Sequence, residues 1–98
     1  MSSAILNKLN VFFADQPIEK AWLFGSYARK EETSNSDVDL LVRFSPDAKI
    51  TLFKYASMVN SLQNLLHSRV DLVEEGQIKP FAIDHVERDK KLIYERKH

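Results

Sequence analysis

The sequence contains no cysteine, only two glycines and three prolines, and its formal net charge is zero. The absence of cysteine excludes disulfide cross-links and thiolate metal sites. Because fourteen basic residues balance fourteen acidic ones, overall charge gives no attraction to nucleic acid or to an anionic membrane. No apolar run reaches membrane-spanning length, and the opening MSSAILNKLN lacks the features of a secretory signal. We therefore expect a cytoplasmic protein without membrane contact.

The remaining composition suits one small domain. Ninety-eight residues, of which 44% are hydrophobic, can build one compact core but are too few for two. No repeat, linker or low-complexity segment divides the chain. We predict a single domain over residues 1–98.

Hydrophobic periodicity predicts helices that alternate with short strands. The predicted helices run from behind Ser2 and Ser3 to near Asp15, from Ser26 to about Glu31, from Leu52 to Leu66, and from Pro80 to about Arg88. The predicted strands are Ile18 to Phe24, Val38 to Phe44, Val70 to Glu74 and a short one at 92–94. Phe53 and Met58 widen the apolar stripe of the long helix, which we assign to the core. This order predicts an α/β (α+β) fold with helices packed on a small mixed sheet.

Two aspartates open the second predicted strand. Asp37 and Asp39 point to the same face because side chains alternate along a strand. Asp71 lies near the start of the third strand, where a neighbouring register would bring it beside the pair. Two carboxylates ~6.5 Å apart repel by ~2.5 kcal/mol at an effective dielectric of ~20. A fold that needs only stability has little reason to collect such charges.

A bound divalent cation replaces the repulsion between these carboxylates with attraction to the cation. Three carboxylates on a rigid sheet suit Mg²⁺, and two such ions about 4 Å apart can hold the attacking and leaving oxygens of a phosphoryl displacement. The structural alternative is that Asp37 caps a turn while Asp39 and Asp71 are solvated residues at strand ends.

The first strand ends in a Gly-Ser pair. Gly25 permits a sharp turn and a close approach of ligand to backbone. A helix that begins at Ser26 would present free N–H groups to an anion, and the guanidinium of Arg29 could reach the same phosphate. The alternative makes Ser26 an ordinary N-cap and Arg29 a solvated helix residue. A triphosphate–Mg²⁺ complex needs the phosphate site and the carboxylates together.

These residues resemble a known signature. Gly25-Ser26-Tyr27-Ala28-Arg29 followed by Ser36-Asp37-Val38-Asp39-Leu40-Leu41-Val42 is similar to the GSxAR…SDxDLxV motif of the DNA polymerase β-like nucleotidyltransferase superfamily, and within it to the minimal nucleotidyltransferases (MNT). Val70-Asp71-Leu72-Val73 resembles the strand that carries the family's third acidic residue. The resemblance spans about residues 18 to 95. One departure is Lys30, where many relatives have glycine.

The resemblance implies a polymerase β-like fold and roles for six residues. Asp37 and Asp39 would bind two Mg²⁺ ions, with Mn²⁺ as an alternative, and Asp71 would complete the catalytic metal site and help to deprotonate the acceptor. Gly25 and Ser26 would hold the phosphates of a nucleoside triphosphate, with help from Arg29.

The resemblance also implies a partner. Many members are MntA-type antitoxins paired with a HEPN-domain toxin, and some transfer AMP from ATP to a tyrosine of that toxin. The alternatives are a non-catalytic antitoxin that neutralises its partner by binding, and transfer to a small molecule. The sequence leaves open the base preference, the acceptor and a homo-oligomer.

Two further groups of residues have less specific interpretations. The three histidines, His67, His85 and His98, have no metal-ligand spacing and are interpreted as surface or helix-cap residues. A second group of apolar residues suits either a partner patch or the core: Phe81, Ile83, Ile93 and Tyr94.

Overall fold

The computed structural model describes residues 1–97, so His98 lies outside the described residues. Four helices alternate with four strands: α1 Ser3–Ala14, β1 Ile18–Phe24, α2 Gly25–Arg29, β2 Val38–Phe44, α3 Leu52–Leu66, β3 Val70–Glu74, α4 Pro80–Asp89 and β4 Lys91–Glu95. The predicted order of elements and the α/β fold class are confirmed. No helix within residues 1–97 combines the length and the apolar character that crossing a bilayer requires.

Local sequence explains where the longer helices begin. The Ser2 hydroxyl accepts a hydrogen bond from the Ile5 amide at the start of α1, and the Thr51 hydroxyl accepts one from the Lys54 amide at the start of α3. Pro80 occupies the first turn of α4, where a missing amide hydrogen costs nothing.

The strands form one mixed sheet in the order β3-β2-β1-β4. β1 is antiparallel to both β2 and β4, whereas β2 and β3 are parallel and are joined through α3. β2 is therefore a central strand with partners on both sides.

The two faces of the sheet carry separate apolar clusters. On one face, Leu40 and Val42 belong to the main cluster, which also includes Leu9 and Phe13 of α1 and Leu62 of α3. On the other face, the intervening Leu41 packs with Trp22 and with Val86 of α4. The alternation of side chains along β2 therefore divides the molecule into two layers of helices with the sheet between them.

Part of the predicted α3 stripe is not core. Leu52 and Phe53 are 85% and 87% exposed, whereas Met58 and Leu62 are buried. Phe53 precedes Leu62 by nine residues, which is about half a turn out of phase on an ideal helix. Leu52 is the first residue of α3 and precedes the part of the helix that packs on the sheet. The assignment of these two side chains to the core was wrong.

The four apolar residues of α4 and β4 that suited either a partner patch or the core fall into two groups, one exposed and one buried or half-buried. Phe81 is 79% and Ile83 42% exposed, whereas Tyr94 is buried and its ring lies 5.6 Å from that of Phe13. Tyr94 thus belongs to the core, and Ile93 packs against it from a half-buried position.

Truncation of buried and of exposed side chains on α3 should have different effects on stability. We expect Leu62→Ala to lower the free energy of unfolding by about 2–5 kcal/mol because it leaves a cavity in the main cluster. Phe53→Ala should change it by less than about 0.5 kcal/mol because its ring is already in solvent. Urea titration followed by Trp22 fluorescence measures both. Equal losses in the two variants would contradict this packing.

Candidate active site

The register of the parallel strands brings two carboxylates together. Asp39 of β2 is the direct partner of Asp71 on β3, just as Val38 is the partner of Val70. On the other side of β2, Asp39 lies opposite Phe24, the last residue of β1. The strands therefore have the register that places Asp71 beside Asp39.

The turn that follows β1 packs directly on Asp39. Gly25 has a φ of +70°, and a Cβ atom added there would overlap Oδ2 of Asp39. Only glycine both adopts this backbone conformation readily and leaves room for the carboxylate. The Gly-Ser turn and the acidic group, which are separated by a loop in the sequence, are thus in contact.

The surroundings of Asp39 perturb its ionisation. The pKa of Asp39 is raised from its ordinary value to about 6, first by burial and then by the negative charges of Asp71 and Asp37, while Arg29 acts in the opposite direction. Burial together with neighbouring charges of the same sign is a common feature of functional carboxylates.

Asp37 has a different neighbour. Its Oδ1 forms a 3.0 Å ion pair with Nε of Arg69, which lies in the loop that enters β3. The Arg69 carbonyl also accepts a hydrogen bond from the Val38 amide at 2.9 Å. Within residues 1–97, no three histidine, aspartate or glutamate side chains are arranged as a group that could hold a metal ion. Asp37 would have to turn away from Arg69 to join the other two carboxylates.

The short helix α2 differs in two details from the expectation. It begins at Gly25, its N-cap is Phe24, and no side chain caps it, so Ser26 is not the N-cap. Lys30 ends the helix in the left-handed conformation, with φ +60°. A non-glycine residue there costs about 1–2 kcal/mol, which gives a physical reason for the glycine that the resemblance implies in many relatives.

Arg29 is already paired within the protein. Its Nη1 lies 3.0 Å from Oδ2 of Asp89 at the end of α4, and its Nε lies 3.5 Å from Glu31. Arg29, Gly25 and Asp89 line one cleft together with His85. The guanidinium therefore adjoins the Gly-Ser turn, although it contacts carboxylates of the chain itself.

Sequence reasoning did not single out Arg69 and Asp89. Arg69 stands two residues before Asp71, so its proximity to the acidic group could have been read from the sequence. Asp89 is sixty residues from Arg29, and it stands in a mixed charged segment that gives no signal of this contact.

The sequence and the fold together assign a class. A polymerase β nucleotidyltransferase family model matches residues 7–98, and the chain belongs to this nucleotidyltransferase family. A candidate protein adenylyltransferase of Methanocaldococcus jannaschii is 34% identical over 92 residues, which cover 92% of this chain and 90% of that protein. The protein adenylyltransferase MntA of Thermococcus cleftensis is 39% identical over 62 residues, covering 63% of this chain and 61% of that protein.

Solved structures share the fold. A candidate minimal nucleotidyltransferase is 33% identical with a TM-score of 0.74, over 90% of this chain and 88% of that one. A toxin–antitoxin structure with AMP-PNP has a TM-score of 0.77 at 23% identity, over 94% and 74% of the two chains. A complex of a tri-AMPylated Shewanella oneidensis HEPN toxin with an MNT antitoxin has a TM-score of 0.73 at 21% identity, over 98% and 74%. The resemblance to the MNT proteins is thereby confirmed.

The raised pKa of Asp39 has a consequence for stability. The folded state binds this proton more tightly than the unfolded chain, so ionisation of Asp39 destabilises the fold as the pH rises from about 4 through about 6. We expect Asp39→Asn to be more stable than the wild type by on the order of 1 kcal/mol at pH 7, after allowance for solvent screening, and no more stable below pH 4. Urea unfolding at both pH values measures the difference.

The control is Asp84→Asn, which removes the same charge from an exposed position on α4. This variant should show no comparable dependence on pH. An Asp39→Asn protein whose advantage is the same at pH 4 and pH 7 would contradict the raised pKa of Asp39.

Proposed function

We propose that this protein transfers AMP from ATP to a hydroxyl group, and that the acceptor is a tyrosine of a HEPN-domain toxin, which the transfer inactivates. Membership of the nucleotidyltransferase family supports the reaction class. The names of two relatives, which specify protein adenylyltransferases, support a protein acceptor. The single observation that carries the proposal is the contact between the Gly25 turn and Asp39, because it joins a phosphate-binding turn to a carboxylate.

The acidic residues suit Mg²⁺ by donor type. Asp39 and Asp71 are register partners, Asp37 immediately precedes β2, and all three supply the hard oxygen ligands that this ion prefers. Asp37, Asp39 and Asp71 would hold the ions, and a carboxylate cluster with mutual repulsion gains stability from a cation. Bound Mg²⁺, or Mn²⁺, would neutralise phosphate charge during the transfer.

The chain's own groups then have defined tasks. The backbone at Gly25 and the hydroxyl of Ser26 hold the β- and γ-phosphates, and Arg29 adds a positive charge beside them. The acceptor oxygen attacks the α-phosphorus, the bond from that phosphorus to the β-phosphate oxygen breaks, and pyrophosphate leaves. The carboxylate of Asp71, which is exposed at the edge strand, receives the proton of the acceptor. The rate gain comes from positioning and charge neutralisation.

The partner supplies the acceptor surface. The toxin–antitoxin complexes that share this fold pair an MNT antitoxin with a HEPN toxin, and in one of them the toxin carries AMP. Use of ATP as the donor is consistent with a reaction in the cytoplasm. No feature of the described residues specifies a monomer or a homo-oligomer.

A transfer assay tests the reaction. Purified protein is mixed with Mg²⁺, α-labelled ATP and a HEPN-domain toxin, and label on the toxin is counted. We expect Asp39→Asn to lower the rate by roughly 100-fold or more because a carboxylate at the phosphate turn is lost. Asp84→Asn should keep the wild-type rate. Equal labelling by wild type and Asp39→Asn would refute the assigned roles.

The Arg69–Asp37 ion pair predicts a specific effect on metal binding. A cation held at Asp37 competes with a metal ion for the same carboxylate. We expect Arg69→Gln to bind Mn²⁺ several-fold more tightly than the wild type in calorimetry, whereas Arg88→Gln, which removes the same charge from an exposed residue of α4, should not. Weaker Mn²⁺ binding by Arg69→Gln would show that the arginine supports the metal site.

One observation favours a second candidate, a non-catalytic antitoxin. Asp37 is paired with Arg69, and within the described chain the acidic residues are not arranged as a metal site. In that case the Asp37→Asn, Asp39→Asn double variant would bind the toxin and inhibit it fully without ATP. Loss of inhibition in this variant, with complex formation retained, would favour the enzyme.

A further inference from the structure

The ion pair between Arg29 and Asp89 joins the two helices on either side of the phosphate turn. α2 follows β1 directly, whereas α4 comes from the far end of the chain and packs on the sheet through Val86. The side chain of Asp89 is only 21% exposed and that of Arg29 is 43% exposed. The pair is therefore better shielded from solvent than the contact between Arg29 and Glu31, whose side chain is 65% exposed.

The geometry of the pair leaves part of the guanidinium for another acceptor. Asp89 contacts Nη1 at 3.0 Å and Glu31 contacts Nε at 3.5 Å, and neither contact involves Nη2. The cleft beside the pair has a volume of about 210 Å³ and is lined by Gly25 and Arg29 on one side and by Ala82, His85 and Asp89 of α4 on the other. An anion at the Gly25 turn can thus reach Arg29 without breaking its bond to Asp89.

We propose that Asp89 is a positioning residue for nucleotide binding, which holds the Arg29 guanidinium beside the Gly25–Ser26 turn so that it contacts the phosphates of ATP. This inference rests on the proposed function. It extends the phosphate site to α4, an element that the signature motifs do not include.

The physical reason is the flexibility of arginine. An unrestrained arginine on a surface helix samples many rotamers, and ordering such a side chain on ligand binding lowers affinity by roughly 2–10-fold. Because Asp89 orders Arg29 already in the free protein, the side chain loses its conformational entropy during folding and not on nucleotide binding. A charge-assisted bond to a half-buried carboxylate is suited to the task.

The negative charge of Asp89 also opposes an incoming triphosphate. Arg29 pairs with Asp89 at 3.0 Å and offsets this charge. We therefore expect the ordering effect to exceed the repulsion, and the direction of the measured change tests this expectation.

The experiment measures affinity for ATP with Mg²⁺ by calorimetry in the absence of an acceptor. Asp89→Asn should weaken binding by about 3–10-fold, in line with the ordering cost of one arginine. The matched control is Glu87→Gln, which removes the same charge from the same helix, where Glu87 pairs with Lys90. This control should bind ATP as the wild type does.

A double-mutant cycle excludes a merely structural role. In an Arg29→Ala background, Asp89→Asn should have no further effect on affinity, because the side chain that Asp89 positions is absent. An undiminished effect in that background, or unchanged or tighter binding by Asp89→Asn alone, overturns the proposal. A wild type that binds no ATP would instead refute the proposed function itself.

A second measurement needs no variant. In ¹⁵N relaxation spectra of the wild type without nucleotide, the Nε–H group of Arg29 should be as ordered as the backbone of α2, and that of exposed Arg88 should be mobile. A mobile Arg29 would overturn the proposal even if Asp89→Asn failed to fold.

Discussion

The candidate site depends on a strand register and a close turn that hold carboxylates together around Asp39. This side chain lies on a central strand, between the close turn at Gly25 and its register partner Asp71. Burial and the negative charges of Asp71 and Asp37 raise the pKa of this carboxyl to about 6, so the fold holds its charge against both. A sheet can maintain such an arrangement because backbone hydrogen bonds and a buried apolar face fix the register independently of the charges. The acidic group is thus supported by the packing of Leu40 and Val42 on the opposite face.

The candidate site is built from elements that are far apart in the chain. Strand pairing holds some of them, and ion pairs hold the others. The Gly25 turn and β2 are held by antiparallel pairing, and Asp71 is placed by the crossover through α3. Asp37 and Arg29, in contrast, end in ion pairs with Arg69 and Asp89 at the surface. The Asp37–Arg69 pair is exposed, and exposed ion pairs are weak and readily exchanged, so Asp37 is the side chain that a ligand can redirect. Arg29 is paired with the half-buried Asp89, so the molecule combines an adjustable Asp37 with a more firmly held Arg29.

The groups around the candidate site come from different parts of the fold. The helices that cover the sheet are occupied in forming the two apolar clusters. The described residues beside them provide a close turn, carboxylates and an adjoining cleft beside α4.

Much of the fold could be predicted from the sequence because local patterns define its helices and strands. The Ser2 and Thr51 caps, Pro80 and the apolar alternation of β1 and β2 define the elements with little help from distant contacts. The motif residues also identified the family, since Gly25, Asp37 and Asp39 lie close together in the chain. The exposure of Leu52 was missed because an apolar stripe does not show where packing on the sheet begins.

The sequence by itself determined the order of helices and strands, which follows from propensity and spacing within short segments, and the family, which follows from a motif in a short segment. Only the tertiary structure decided that Asp39 is the register partner of Asp71, that Gly25 packs on Asp39, and that Arg69 and Asp89 hold Asp37 and Arg29. These contacts join segments up to sixty residues apart, and strand register and helix packing, which no local pattern encodes, bring them together.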